Sequence, residues 1–303
     1  MGNFLIAVLA LAGAWLATPA AAALKVFTCE PEWAALATAL GAADVEVYSA
    51  STALQDVHKV QARPSLIAKF RQASLAICTG AELEIGWLPA LVEKANNPGV
   101  APGTPGFFEA SQFVQMLEVP SSVDRALGDV HPYGNPHVQT GPQNIAPVAQ
   151  ALAERLAQLD AAHADAYRQR YAEFARRWGA ALKQWRQRSA PLKGVQVVSH
   201  HKTWVYLYDW LGVKEIATLE PKPGIPPSAA HLQEVLAALK AQPAKMVVYS
   251  SYEDSHAAQW LSEQAHLPVV QLPFSVGGAP GTDDLFGFYD VLIGDLLKAA
   301  ANP

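Results

Sequence analysis

The chain has 303 residues, 51% of them apolar and only 16% charged, which is ample for a buried core and excludes a disordered or collagen-like polymer. At about 150 residues per domain, the length points to two domains or one large one. Its 22 Lys and Arg against 27 Asp and Glu leave a net charge of −5 and no basic patch of the size that phosphate-backbone binding needs, so nucleic acid is not an expected partner. The two cysteines, Cys29 and Cys78, provide neither a disulfide framework nor a Cys-based zinc ribbon; any metal chemistry falls to the nine histidines and the carboxylates.

Residues 1–23 read as a secretory signal peptide: an apolar run from Phe4 to Leu16, then Pro19 and a stretch of alanines with Ala-x-Ala spacing. The leading Met1-Gly2-Asn3 lacks Lys or Arg, and an uncleaved anchor is the competing reading, since Phe4 to Ala23 is long enough to span a bilayer. Cleavage is favoured, giving an exported globular protein that starts near Leu24 and is periplasmic where the host has an outer membrane.

From there the apolar runs are continuous and separated by helical stretches. Strands are expected at 24–29, 45–48 and 75–78, with helices at 33–40 and 64–71, the pattern of a parallel sheet covered on both faces. Residues 96–129 are rich in Pro and Gly and read as an irregular surface wrap. Residues 144–190 are filled with helix formers, with Pro147 at a helix start. A break at Asp160-Ala161 leaves a second helix over 163–188, roughly 39 Å long at 1.5 Å per residue. Strands at 195–199, near 216, 245–250 and 269–272 then alternate with helices from 204, 228, 254 and 284. The expected fold class is α/β: two doubly wound parallel-sheet lobes (24–160 and 191–303) joined by a long connecting helix (161–190). Ligands of such sheets sit beyond the strand C-termini, which places the site between the lobes.

Four segments carry metal-ligand chemistry there: Asp56-Val57-His58, the loop from Asp129 to His137, His200-His201 at a strand end, and Asp283-Asp284 before the last helix. A histidine after a strand more often packs or meets solvent than binds metal, so the spacing alone is only moderately specific. The run Ala50-Ser51-Thr52-Ala53-Leu54-Gln55-Asp56-Val57-His58, the loop Gly134-Asn135-Pro136-His137 and the segment His201-x-x-Trp204-x-Tyr206 resemble the metal-binding solute-binding proteins of ABC importers, nearest to their zinc-binding branch. Glu220-Pro221 with Pro227-Ser228, and Thr79 to Glu84 followed by Trp87, are similar to the same family. The resemblance covers essentially all of the mature chain.

Carried over, it implies His58, His137, His201 and Asp283 as the metal ligands. Two departures from the family pattern bear on them: Val57 stands where a proline is usual, loosening the turn, and the motif after His137 lacks its usual Asp, which alters support for that imidazole. Of His200 and His201, only one faces the cleft in regular strand geometry, and the aromatic spacing favours His201. Asp283 is preferred over Asp284, which can cap the helix. His131 is either a solvated loop histidine or an extra metal contact. His163, His231, His256 and His266 read as solvated. Cys29 and Cys78 end neighbouring strands, and both a disulfide and a pair of buried thiols stay open.

The resemblance implies a binding protein rather than an enzyme, one that captures Zn²⁺ in the periplasm and passes it to an ABC permease in the inner membrane. A periplasmic metallochaperone is a further expected partner, and the chain is expected to act as a monomer. Three nitrogen ligands in four favour zinc over manganese. The rival reading is a secreted zinc hydrolase, but the sequence has no His-Glu-x-x-His pair and no Gly-x-Ser-x-Gly elbow. An adhesin or a metallochaperone with no transporter would share the site and differ only in partner.

Overall fold

The computed structural model describes residues 22–122, 128 and 131–302. The signal-peptide reading therefore lies almost wholly outside the described residues, as do Asp129 and Val130 of the loop before His137. Among the described residues no helix is long and apolar enough to cross a membrane.

The chain folds as two α/β halves, each with a four-stranded parallel sheet. In the first half β1 (Leu24–Thr28), β2 (Val45–Ser49), β3 (Leu75–Cys78) and β4 (Phe107–Glu109) lie in the order β2-β1-β3-β4, with α1 (Pro31–Gly41), α2 (Pro64–Gln72) and α3 (Leu88–Ala95) between them. Two helices follow, α4 (Pro142–Leu159) and the 25-residue α5 (Ala164–Arg188). In the second half β5 (Gln196–Ser199), β6 (Lys214–Thr218), β7 (Met246–Ser250) and β8 (Val269–Leu272) lie in the same relative order, β6-β5-β7-β8. They alternate with α6 (Val205–Leu211), α7 (Ala229–Leu239) and α8 (His256–Ala265), and α9 (Leu285–Ala301) closes the chain.

The strands form where the sequence places continuous apolar runs, and β3 is buried at all four positions. Two expectations need correction. Residues 96–129 do not merely wrap the surface: Phe107 and Phe108 are buried in β4, which pairs with β3 and completes the first sheet. A three-residue strand between Pro- and Gly-rich turns is too short for periodicity to show. Pro147 is not at a helix start either, because α4 begins at Pro142, whose ring suits the first helical position. The break at 160 is where expected, as a single 3₁₀ turn, Ala161–His163.

One apolar core runs through both halves. Trp33 and Leu36 of α1, Leu152 of α4, Trp178 of α5, Val197 of β5, and Tyr289 and Leu292 of α9 belong to a single buried cluster. Smaller cores fill the outer side of each sheet, one around Phe27, Phe70 and Leu91, the other around Val198, Val247 and Leu261. Trp178 sits edge-on to Trp185 and Tyr289 and donates its indole N–H to the Pro142 carbonyl, so the long helix is tied to α4 and α9 by ring packing and a buried hydrogen bond. A core continuous across the seam resists a wide hinge motion. Cys29 and Cys78 form a disulfide at the ends of β1 and β3, settling the alternative that the sequence leaves open.

Candidate metal centre

Three histidines from three different segments converge between the sheets. His58 lies in a 3₁₀ turn (Val57–Lys59) after β2, His137 just ahead of α4, and His201 two residues beyond β5. One ring nitrogen from each can be chosen so that all three lie within 4.8 Å of one another. The Nε2 atoms of His137 and His201 stand 3.3 Å apart. Two nitrogens on a tetrahedral zinc, each about 2.0–2.1 Å from the ion, lie about 3.3–3.4 Å from each other. The spacing is that of ligands on a shared ion.

Local chemistry explains how each ring is held. Asp56 caps the 3₁₀ turn, accepting from the His58 backbone N–H at 3.0 Å and from His58 Nδ1 at 2.9 Å. The ring is thereby left with Nε2 facing inward, buried and without a hydrogen-bond partner among the described residues. Val57, which stands in this turn, has its side chain buried, and the Asp56 carboxylate caps the turn. His201 Nδ1 donates to Glu220 Oε2 at 2.6 Å, and Glu220 also accepts from the Gly224 backbone N–H at 3.0 Å. An imidazole that donates from Nδ1 to a carboxylate is fixed in the tautomer that presents Nε2 to a metal and is made a stronger donor.

His137 is held differently. Its backbone N–H donates to Asn135 Oδ1 at 3.0 Å, and Asn135 Nδ2 in turn donates to the Lys202 carbonyl at 2.8 Å. Tyr206 donates its hydroxyl to the Asn135 carbonyl at 2.7 Å and accepts from the Leu117 backbone N–H. The two motifs Gly134-Asn135-Pro136-His137 and His201-x-x-Trp204-x-Tyr206 are thus two sides of one buried hydrogen-bond lock. Gly134 is needed at its place: its φ is +110°, and a side chain there would run into the Leu117 carbonyl. No carboxylate supports the His137 ring, whose Nδ1 is buried without a partner among the described residues.

Beneath the rings lies an apolar floor of Val57, Leu83 and Phe274, with Tyr252 edge-on to Phe274 and Phe274 edge-on to His137. Electrostatics follow from this setting. Burial drives His137 well below the ordinary histidine pKa, and the neighbouring His201, His58 and His131 add to the shift, so it is neutral and ready to coordinate. Burial also pushes His201 down, but the hydrogen bond and charge of Glu220 outweigh it and the net shift is upward. Burial works against the charged form of Asp56, yet its contacts with His58 and Lys59 hold it well below the usual carboxylate range.

The other sequence candidates fall on both sides of the line. His131 is half-buried with its ring 5.5 Å from that of His58, and burial together with the charges of His58 and His201 lowers its pKa to about 4; it is a neighbour of the centre rather than a solvated loop residue. Asp283 is not brought to the three imidazoles in this structure. Thr282 is fully buried and hydrogen-bonds Ala279, so the residue after it is exposed in the turn before α9. Asp284 caps that helix by accepting from the Gly287 N–H at 2.8 Å. His200 is buried and lines the same cleft, but it is not one of the three imidazoles whose nitrogens converge. Glu220 is the functional residue that the ligand assignment missed. It lies 19 residues from His201 in sequence and reaches it only because β6 runs beside β5.

No curated protein matches the chain. Among solved structures it is similar to a ZnuA at a TM-score of 0.77 and 19% identity, covering 92% of this chain and 100% of the other. It is also similar to FpvC from Pseudomonas aeruginosa in complex with Mn²⁺ (TM-score 0.73, 19% identity, 91% and 99% covered). A third likeness is to a mutant of the laminin-binding adhesin Lmb from Streptococcus agalactiae (TM-score 0.73, 20% identity, 90% and 99% covered). At such identities these show a shared fold. The sequence itself matches the family described as zinc-uptake complex component A, periplasmic (ZnuA), over residues 26–298, which takes in both sheets, the long helix and all three imidazoles. The chain belongs to that family, the metal-binding solute-binding proteins that work with ABC permeases and catalyse no reaction.

Proposed function

We propose that this protein captures Zn²⁺ with high affinity in the periplasm and delivers it to an ABC permease, with His58, His137 and His201 as its nitrogen ligands. The observation that carries the reading is the 3.3 Å approach of two imidazole Nε2 atoms above an apolar floor. Two such nitrogens repel one another's lone pairs unless a cation or a proton lies between them. Two of the three rings are locked with Nε2 inward, and neutral imidazoles suit zinc better than manganese, which wants more oxygen.

Asp283 is proposed as the fourth ligand, swung in when the loop 273–284 closes over the ion. In support, that loop contains Gly277 and Gly281, both with φ of +83°, and rests against the first half, where Gly278 approaches Ala53. The ordering of lobes at 24–160 and 191–303 with the helix of 161–190 between them belongs to the same proposal. So does metal-driven movement of loops rather than a wide hinge, for which the core shared by both halves speaks.

The deciding experiment is a chelator-competition titration of residues 24–303 with Zn²⁺ and with Mn²⁺, repeated on His201→Ala and Asp283→Ala. One tight zinc, weak manganese and a severe loss in His201→Ala are expected. A smaller but clear loss in Asp283→Ala assigns the fourth position, and zinc affinity indifferent to Asp283 removes it from the ligand set. Equal affinity for the two metals overturns the choice of zinc.

A further inference from the structure

Two of the three imidazoles are followed directly by a lysine, Lys59 after His58 and Lys202 after His201. An ammonium beside a ligand of a dication repels that ion unless a carboxylate neutralises it. In the first half the orienting carboxylate does both tasks: Asp56 Oδ1 holds His58, and its Oδ2 stands 2.9 Å from the Lys59 Nζ. In the second half the tasks are divided. Glu220 holds His201, while Lys202 reaches across to the first half and donates from Nζ to Glu118 Oε1 at 2.5 Å.

Both members of that pair are held in place. Glu118 has a φ of +51°, a left-handed conformation that a glutamate keeps only where its surroundings fix it. The fixing contacts are at Leu117, whose N–H donates to the Tyr206 hydroxyl at 3.1 Å and whose carbonyl accepts from the Asn135 N–H at 2.8 Å. Lys202 belongs to the same lock, since its carbonyl accepts from Asn135 Nδ2. Asn135 and Tyr206 therefore fix the backbone beneath Glu118 and Lys202 as well as that of His137. The two side chains are half-buried and line a cavity of about 360 Å³ together with His131, His137 and His201. His201 also lines the cleft that contains Asp56, Lys59 and Glu220, so each lysine stands in its own cavity beside the centre.

We propose that the Glu118–Lys202 pair is an ionic latch over the metal centre that sets how fast the ion is captured and how fast it leaves; this rests on the reading that His137 and His201 hold a dication. Held by Glu118, the ammonium is neutralised at the rim, and one more contact joins the two halves beside His137. Freed, it rides on a flexible four-carbon stem next to His201 and repels an incoming dication. A half-exposed ion pair adds little to stability, so the latch acts on rates and affinity and not on folding. Neither side chain is bonded to an imidazole among the described residues, which separates the pair from the carboxylates that orient the ligands.

The test is stopped-flow capture of Zn²⁺ by residues 24–303, and release into a competing chelator, at low and high salt, for Glu118→Gln, Lys202→Met and the double variant. Capture by Glu118→Gln is expected to slow about tenfold at low salt and less at high salt. Lys202→Met should capture at least as fast as wild type, and the double variant should regain the wild-type capture rate. All three should release zinc several-fold faster, with urea midpoints unchanged. A second reading needs no metal: Lys202 should react with an amine-modifying reagent more slowly in wild type than in Glu118→Gln. Unaltered capture by Glu118→Gln, a loss indifferent to salt, a double variant no faster than Glu118→Gln, release unchanged in all three, or equal labelling of Lys202 each overturn the latch. Absence of tight zinc in wild type, with Lys202 still protected, counts against the proposed function instead, and the rates are then read with Mn²⁺.

Discussion

The two halves of the molecule share one sheet order, and yet they support their histidines in opposite ways. In the first half the ligand and its carboxylate are local: His58 follows β2, and Asp56 two residues earlier orients it. In the second half the ligand leaves the central strand β5, while its carboxylate, Glu220, follows β6, the strand that corresponds to β2. At the end of β1, the counterpart of β5, the first half has Cys29, bonded to Cys78 at the end of β3. The first half therefore secures its strand ends covalently and its ligand by a turn; the second secures both through strand adjacency. A half-site held by a turn tolerates change in the sheet, whereas one held by two strands depends on their register.

The largest difference between the halves should appear on removing the disulfide. The bond closes a loop of 49 residues, and the chain-entropy relation gives about 4 kcal/mol for a loop of that size. Cys29→Ser/Cys78→Ser is expected to lower the urea midpoint of the metal-free protein by a corresponding amount. Zinc affinity should change little, because the disulfide belongs to the outer core around Phe27 and not to the floor of the centre. An unchanged midpoint would mean that the strand ends hold without it and that the halves are equivalent after all.

Next in size are the two orienting carboxylates. Glu220→Gln and Asp56→Asn each remove the charge that fixes an imidazole, a change typically worth 10–100-fold in metal affinity. Glu220→Gln should be the more severe, since the side chain also binds the Gly224 N–H and no other carboxylate is bonded to His201 among the described residues. In the wild type the Glu220 carboxylate also raises the His201 pKa, so protons compete with zinc from above the ordinary histidine value, and affinity falls as pH drops through that range. Glu220→Gln should move the midpoint of that fall to lower pH. Equal losses in the two variants, with no shift in the pH midpoint, would show that local and strand-borne support are interchangeable.

The contrast also explains what can be read in the sequence. Asp56 and His58 lie in one turn, and a carboxylate two residues before a histidine is a visible signal. The role of Tyr206 in locking Asn135 is written in the spacing of the aromatic residues after His201, and buried-strand runs mark seven of the eight strands. Glu220 stands out only through the family likeness of Glu220-Pro221, and nothing local ties it to His201, because that contact depends on β5 and β6 being neighbours. Asp283 shows the converse: a carboxylate before a helix has the right chemistry, but it stands exposed beside the buried Thr282, so that reaching the ion takes a movement of its loop that no local pattern records. Short β4 escapes because three residues cannot display a period. Local constraints are legible, and those set by strand order are not.

The smallest expected effect lies at the seam where the halves meet. Glu32, in the first turn of α1, is fully buried and accepts from the Ser275 hydroxyl beyond β8, a hydrogen bond from one half to the other. Burial raises its pKa to about 7, the nearby Glu84 charge adds to this, and the hydrogen bond from Ser275 only partly offsets it. A carboxyl with a folded pKa above its unfolded value of 4.5 binds more protons in the native state. Its contribution to stability is therefore fully present below pH 4.5 and is lost as pH rises through about 7. Glu32→Gln keeps the shape and the hydrogen bond but carries no charge at any pH. It should match wild type near pH 4.5 and exceed it above pH 8 by about 1–3 kcal/mol, the range for sparing a buried polar group its desolvation. Glu253, behind the centre in the second half, also titrates near 7 through burial, so the variant flattens the pH dependence of stability without abolishing it. The same gain at both pH values would show that Glu32 exchanges no proton on folding, and that the seam is held by packing of the shared core alone.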